Sequence, residues 1–233
     1  MRYDARSRLY VPDSDGSLVS RWTPRPVNQR STLLLHCDGA DGSTTFTDDG
    51  SGARTPAATG NAQIDTAQSV FGGASALFDG TGDYVTIVSG SDLAWGTGDC
   101  TIDFRFRATN FTGTRYLFNG TQFGFNIDNG GGGFYVSLGD DNVATTYAFA
   151  ATTWYHIAIC RKAGVTFIFV DGVLVNVMHD ITPTGVAGDI LMGAYTVGDR
   201  TYDYNGHIDE VRMINGVAAW TENFTVPAAA YAS

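Results

Sequence analysis

Val165-Thr166-Phe167-Ile168-Phe169-Val170-Asp171-Gly172-Val173-Leu174-Val175 decides the fold class of this 233-residue chain. Two runs of β-branched and aromatic residues flank an Asp-Gly pair, and Asp-Gly suits the two positive-φ positions of a type I′ turn. The stretch predicts a tight β-hairpin. Its first run is apolar on both faces, as is Tyr155-His156-Ile157-Ala158-Ile159-Cys160, which predicts central strands covered on each side. Further out, strand signals recur from Leu33 onward at the spacing of a sandwich or barrel. Phe123, Phe125 and Ile127 alternate with Gly124, Asn126 and Asp128, and Ile102, Phe104 and Phe106 alternate with Asp103, Arg105 and Arg107. Each set predicts a strand with one buried and one wet face. Asn119-Gly120 predicts a second tight hairpin, between Tyr116-Leu117-Phe118 and Phe123-Gly124-Phe125. No 12-residue window carries a helical stripe, with a short turn at Val217-Ala218-Ala219-Trp220 as the exception. The expected fold is all-β, two packed antiparallel sheets.

Composition agrees. Glu occurs only at Glu210 and Glu222 and Lys only at Lys162, while Asp and Gly are abundant. Glu and Lys favour helices, whereas Asp favours turns and caps. The length fits one large all-β domain whose core needs no staple. No apolar run approaches the roughly 18–20 residues that cross a bilayer, and Met1-Arg2-Tyr3-Asp4-Ala5-Arg6 lacks the apolar stretch of a signal peptide. The chain is therefore expected to have neither a membrane span nor a signal peptide. Cys37, Cys100 and Cys160 are widely spaced without a CxxC pair, which predicts buried free thiols.

The net charge of −10 is unevenly spread. Residues 1–30 hold six Arg against three Asp, and residues 31–233 hold 8 basic against 21 acidic residues. An acidic body repels phosphate backbones, which argues against nucleic acid as a partner. Residues 1–30 also contain Pro12, Pro24 and Pro26. They read as an extended basic arm that orders against a partner, with Arg2, Arg6, Arg8, Trp22 and Arg25 as docking side chains. The body begins at Ser31.

Signatures of chemistry are sparse. There is no GxSxG and no HExxH, and His36, His156, His179 and His207 are scattered. Gly130-Gly131-Gly132-Gly133 reads as a hairpin loop, because no helix follows to make a phosphate cradle. The richest surface candidate is Tyr195-Thr196-Val197-Gly198-Asp199-Arg200-Thr201-Tyr202-Asp203-Tyr204. Sugar rings stack their apolar CH faces on aromatics while polar groups take the hydroxyls. Tyr195, Asp199, Arg200, Tyr202 and Tyr204 are the expected ligand-binding set. The same composition also fits a loop packing its own aromatics on the sandwich.

Several stretches, in order along the chain, resemble one family. They are Leu34-Leu35-His36-Cys37-Asp38-Gly39-Ala40-Asp41-Gly42-Ser43; Phe71-Gly72-Gly73-Ala74-Ser75-Ala76-Leu77-Phe78-Asp79-Gly80-Thr81-Gly82-Asp83-Tyr84-Val85; Trp154-Tyr155-His156-Ile157-Ala158; and Asn205-Gly206-His207-Ile208-Asp209-Glu210-Val211-Arg212. Together they resemble concanavalin A-like lectin/glucanase domains of the laminin G-like type. The opening segment, with Ala218-Ala219-Trp220-Thr221-Glu222-Asn223-Phe224-Thr225-Val226-Pro227 near the end, resembles such domains in bacteriophage tail and virion proteins. The resemblance implies a jelly-roll sandwich.

It also implies one structural calcium ion held by Asp38, Asp41 and Asp209, although Asp38, Asp41, Asp48 and Asp49 equally suit turns and caps. Glucanases of this superfamily pair two Glu on one strand, a pattern missing here, so no catalytic residues and no enzyme are expected. The expected function is that of a non-enzymatic bacteriophage virion protein: a decoration, head-fibre or tail-attached module assembled in the host cytoplasm. It would be a homo-oligomer docked on other virion proteins by residues 1–30. The alternative is a carbohydrate-binding adhesion module for host surface glycan, and a glycoside hydrolase ranks last.

Overall fold

Asp171 and Gly172 adopt φ of +49° and +76°, so the decisive hairpin closes by the turn its sequence predicts. The structure, a computed structural model, describes residues 31–232 apart from 122, 140, 180–187, 199 and 200, and three backbone strands within residues 1–30. Those three are β1 (Arg2–Tyr3), β2 (Leu9–Pro12) and β3 (Leu18–Arg21), paired antiparallel in a sheet of their own. The side chains of Arg2, Arg6, Arg8, Trp22 and Arg25 lie outside the described residues.

The body contains β4 (Leu33–Leu35), β5 (Ala57–Thr59), β6 (Gln63–Asp65), β7 (Ser75–Asp79), β8 (Tyr84–Ile87), β9 (Cys100–Ala108) and β10 (Arg115–Asn119). It continues with β11 (Phe123–Ile127), β12 (Gly133–Leu138), β13 (Asp141–Thr146), β14 (Tyr155–Lys162), β15 (Val165–Val170), β16 (Val173–His179), β17 (Ile190–Met192) and β18 (Asn205–Asn215). One sheet runs β13-β12-β11-β10-β17-β8-β5. The other runs β16-β15-β14-β9-β18-β7-β6, with β4 also on β18. All named strand pairs are antiparallel. Between the sheets lies an aromatic core, with Phe104 edge-on to Phe125 at 5.1 Å and Phe106 edge-on to Phe149 at 5.2 Å. Such pairs add about 0.5–1.5 kcal/mol each beyond the area they bury.

The family-like motifs have local physical causes. In Asp79-Gly80-Thr81-Gly82-Asp83 the two glycines take φ of +87° and +80°, which only glycine adopts without strain. Buried Asp83 accepts the N–H groups of Asn61 and Asp79, holding the β7–β8 turn against the β5–β6 turn. Across the two open edges at one end of the sandwich, Asn176 of β16 donates to Thr145 Oγ1 at 2.9 Å and reaches Ala144 O on β13. All three cysteines are buried and unpaired, and burial pushes the Cys100 and Cys160 thiols up to about 12.

Three expectations need correction. Asn119-Gly120 does not form a two-residue turn. Asn119 pairs with Gly124, so the connection runs from Gly120 to Phe123, and Gly120 is not left-handed. The Asn119 amide donates instead to Tyr195 O at 2.6 Å. Residues 217–220 form no helix; among the described residues the helical content is one 3-10 turn, Ser91–Leu93. The face of β9 expected to be wet is dry at Asp103 and Arg105, because the C-terminal segment lies over it. Trp220 and Phe224, stacked at 4.0 Å, cover Ala158, Cys160 and Phe169 on the outside of β14 and β15. That segment is what buries the second face of the two all-apolar strands.

Candidate functional site

The loop between β17 and β18 is bound to β10 by backbone. Gly193 N–H donates to Leu117 O at 2.9 Å, Tyr204 N–H to Gly193 O at 2.8 Å and Tyr116 N–H to Tyr202 O at 3.0 Å. Arg115 Nη1 donates to Asp203 O at 2.9 Å, while the Asp203 carboxylate accepts Gly82 N–H at 2.6 Å. These bonds carry three tyrosines to one place. Tyr116 lies 4.6 Å from Tyr195 and 5.9 Å from Tyr202, and Tyr195 lies 5.7 Å from Tyr202. Tyr195 is 39% exposed and the others half-buried. Burial, then the neighbouring phenols of Tyr195 and Tyr202, raise the Tyr116 hydroxyl above the ordinary tyrosine value, so it remains an O–H donor at neutral pH. The three rings, inclined 49–84° to one another, form an aromatic cluster with hydroxyl tips, and aromatic faces beside polar groups are the chemistry that meets a sugar ring.

Of the ligand set expected from the sequence, Tyr195 and Tyr202 are brought together. Tyr204 is not. It is a core residue, tilted against Phe78 at 6.1 Å, with its hydroxyl donating to His207 O at 3.2 Å. Alternation explains this: Asp203 bridges to Tyr116, Tyr204 turns inward and β18 then begins. Asp199 and Arg200 lie outside the described residues. Tyr116 was missed, and its sequence signal is weak. It precedes Leu117 and Phe118, both buried because the strand slips register between Tyr116 and Phe118, and that irregularity hides the outward position.

Asp38, Asp41 and Asp209 do not assemble as a calcium set. Among the described residues no group of three or more His, Cys, Asp or Glu is placed to hold a metal. Asp41 accepts the N–H and hydroxyl of Thr66, and Asp209 Oδ2 accepts the Val70 and Phe71 N–H groups at 2.7 and 3.3 Å. Asp209 Oδ1 is buried without a hydrogen-bond partner, and burial pushes its carboxyl up to about 7. The turn-and-cap reading of Asp41 is what the contacts display.

The Glu210 carboxylate is also committed. At the bulge where β18 passes from β7 to β4, Glu210 adopts φ +50° and is buried. His36 Nδ1 lies 2.7 Å from its Oε1, and Tyr231 N–H donates to its Oε2 at 3.1 Å. Beside it, Asp103 accepts Arg212 Nε at 2.8 Å and Arg212 Nη2 at 3.2 Å, with His156 Nε2 at 3.3 Å and the Tyr231 hydroxyl completing the shell. Burial alone would raise the Asp103 carboxyl, but Arg212, then His156, holds it below the usual range. The Arg212 guanidinium lies 3.6 Å from the centre of the Tyr231 ring. These groups fasten the C-terminal segment.

Two antiparallel sheets in this order, with a ring-lined loop at one end, define a lectin-type β-sandwich. Residues 79–222 match the concanavalin A-like lectin/glucanases superfamily, and the chain belongs to it. A search of curated proteins by sequence finds no match. Among solved structures, the binding domain of Paraclostridial Mosquitocidal Protein 1 superposes with a TM-score of 0.64 at 13% identity, covering 82% of this chain and 50% of that one. Botulinum neurotoxin type C, whose cell entry is dependent upon interaction with two ganglioside molecules, gives 0.61 at 12% identity, covering 83% and 50%. A Trypanosoma rangeli sialidase in complex with 2,3-difluorosialic acid gives 0.61 at 11% identity, covering 81% and 31%. The chain spans about half the length of the toxin domains it resembles.

Proposed function

We propose that this chain is a non-enzymatic carbohydrate-binding module whose ligand rests on Tyr116, Tyr195 and Tyr202. The observation that carries the reading is the mutual contact of three tyrosine rings, held by backbone bonds at an exposed loop. The fold likeness to a ganglioside-dependent toxin and to a sialidase makes glycan the ligand class to test first. The non-enzymatic half of the proposal is supported by the commitment of Glu210 and Asp103 to internal partners. On a glycan array the full chain binds a defined set of glycans, and Tyr202→Ala abolishes that binding while leaving the fold intact. Unchanged binding in Tyr202→Ala discards the site, and new reducing ends after incubation with a bound polysaccharide discard the non-enzymatic reading.

A second reading concerns placement and rests on the charge split at Ser31, with six Arg against three Asp before it and 8 basic against 21 acidic residues from there on. Residues 1–30 then act as the attachment segment, and the sandwich is carried outward as a module of a bacteriophage particle. Deleting residues 2–28 releases a still-folded sandwich from particles, and retained incorporation refutes the anchor.

A further inference from the structure

From the tyrosine cluster, β10 leads onto a sheet face that no charge interrupts. Register places Tyr116 of β10 beside Asn126 of β11, and Asn126 beside Tyr135 of β12. Adjacent strands lie about 4.8 Å apart, so the two tyrosines stand about 10 Å apart with an amide between them. Asn126 is 8% exposed between its neighbours, whereas Tyr135 is 37% exposed. A second cross-strand row runs beside the first, through Leu191, Asn119, Gly124 and Ser137. Gly124 contributes no side chain to it. A Cβ there would stand 3.2 Å from Ser137 Oγ and 3.5 Å from Asn119 Oδ1, so the floor beside the tyrosine row stays low.

The composition of this face is the informative part. On the described strand positions of β5, β8, β17, β10, β11, β12 and β13, none of the residues alternating outward from the core is Asp, Glu, Lys, Arg or His. They are Tyr, Asn, Thr, Ser, Ala, Gly and Leu, on a body with 21 acidic and 8 basic residues. Amides and hydroxyls exchange hydrogen bonds with sugar hydroxyls at no cost in charge desolvation. A buried sugar carboxylate would need a paired cation, and the described outward positions of these strands supply none, Arg115 of β10 being turned to Asp203 O.

We infer that the ligand is an uncharged oligosaccharide of at least three units, lying across β10, β11 and β12. One sugar ring rests on the Tyr116–Tyr195–Tyr202 cluster, the next lies over Asn126 and a third rests on Tyr135. The inference rests on the carbohydrate reading above and narrows it, since one fold neighbour depends on ganglioside molecules and another is a sialidase in complex with 2,3-difluorosialic acid. The test is calorimetry on the full chain with an uncharged gluco- and galacto-oligosaccharide series of one to five units, and with the same series bearing a terminal sialic acid. The uncharged trimer binds at least tenfold tighter than the monosaccharide, and sialylation weakens binding at least tenfold. Tyr135→Ala removes the gain with length and leaves monosaccharide affinity unchanged. Tighter binding of the sialylated chains, or a length gain that survives Tyr135→Ala, overturns the inference while leaving Tyr202-dependent glycan binding in place. Binding of neither series, or binding indifferent to Tyr202→Ala, overturns the carbohydrate reading and the inference together.

Discussion

The outer faces of the two sheets are made from the same alternating strands and end in opposite states. Outside β9, β14 and β18 the outward residues include Asp103, Arg105, His156 and Arg212, four ionisable side chains that are all buried. The C-terminal segment supplies their cover, through Tyr231 on Asp103 and Glu210, Pro227 O on Arg105, and Trp220 and Phe224 beside His156. Outside β10, β11, β12 and β13 the outward residues are uncharged, and Tyr135, Asn142 and Ala144 meet solvent. Charge on a strand's outer face thus marks the side that is covered, while a neutral tyrosine-and-amide surface is left facing outward. Buried charges demand designated partners, and the C-terminal segment carries them.

The sharpest way to break this contrast is to remove the cation from the covered face. Arg212→Ala leaves the Asp103 carboxylate buried without its main partner and costs about 3–5 kcal/mol. Thermal unfolding then shifts down by roughly 10 °C. On the open face, Tyr135→Ala stays within about 0.5 kcal/mol of the parent in the same assay. Equal losses at the two positions would erase the distinction.

Trp220→Ala strips half of the stacked pair from the C-terminal cover and costs about 2 kcal/mol by denaturant unfolding, less than a full core deletion because Trp220 is half-buried. Tyr204→Phe loses one hydrogen bond to His207 O, worth about 1 kcal/mol, and leaves sugar binding unchanged. Tyr202→Ala does the reverse, losing sugar binding with little change in unfolding.

The covered face also predicts a pH slope. The Glu210 hydrogen bond raises the His36 pKa above its ordinary value, so its contribution is complete below about pH 6.5 and fades as pH rises through the folded-state value. Burial pushes the Asp209 carboxyl up to about 7, so raising the pH from about 4 through 7 ionises it more readily in the unfolded chain and weakens the fold. Both effects have one sign. Burial lowers the His207 pKa and acts with the opposite sign, so the variants carry the test: between about pH 5 and 8 the unfolding midpoint of Asp209→Asn and of His36→Gln falls less, or rises more, with pH than that of the parent. A parent-like pH dependence in either variant contradicts that assignment.

How much of this was legible in the sequence follows the same division. Local rules worked where one residue decides geometry: Asp171-Gly172 closed its hairpin, and the alternation of Ile102, Phe104 and Phe106 marked the core side of β9. They failed where distant segments meet. Alternation marked Asp103 and Arg105 as outward, but nothing local says that a stretch more than a hundred residues later will cover them. Tyr204 sits in the same short tyrosine run as Tyr202, and only Asp203, bridged to Tyr116, separates the buried ring from the half-buried one. Tyr116 lies on another strand altogether and joins the site through Tyr202 O. The acidic residues were ambiguous for a related reason, because a carboxylate that caps backbone N–H groups and one that binds calcium have the same local sequence.

The central claim is that the uncharged face of the seven-stranded sheet, entered from the tyrosine cluster, is the binding surface. An NMR titration of the isotope-labelled chain with an uncharged trisaccharide tests it directly. The account predicts shift changes at Tyr116, Asn126, Tyr135, Tyr195 and Tyr202, with the amides around Trp220 and Tyr231 unmoved. Changes confined to the C-terminal cover, or a spectrum indifferent to every sugar tried, would contradict it.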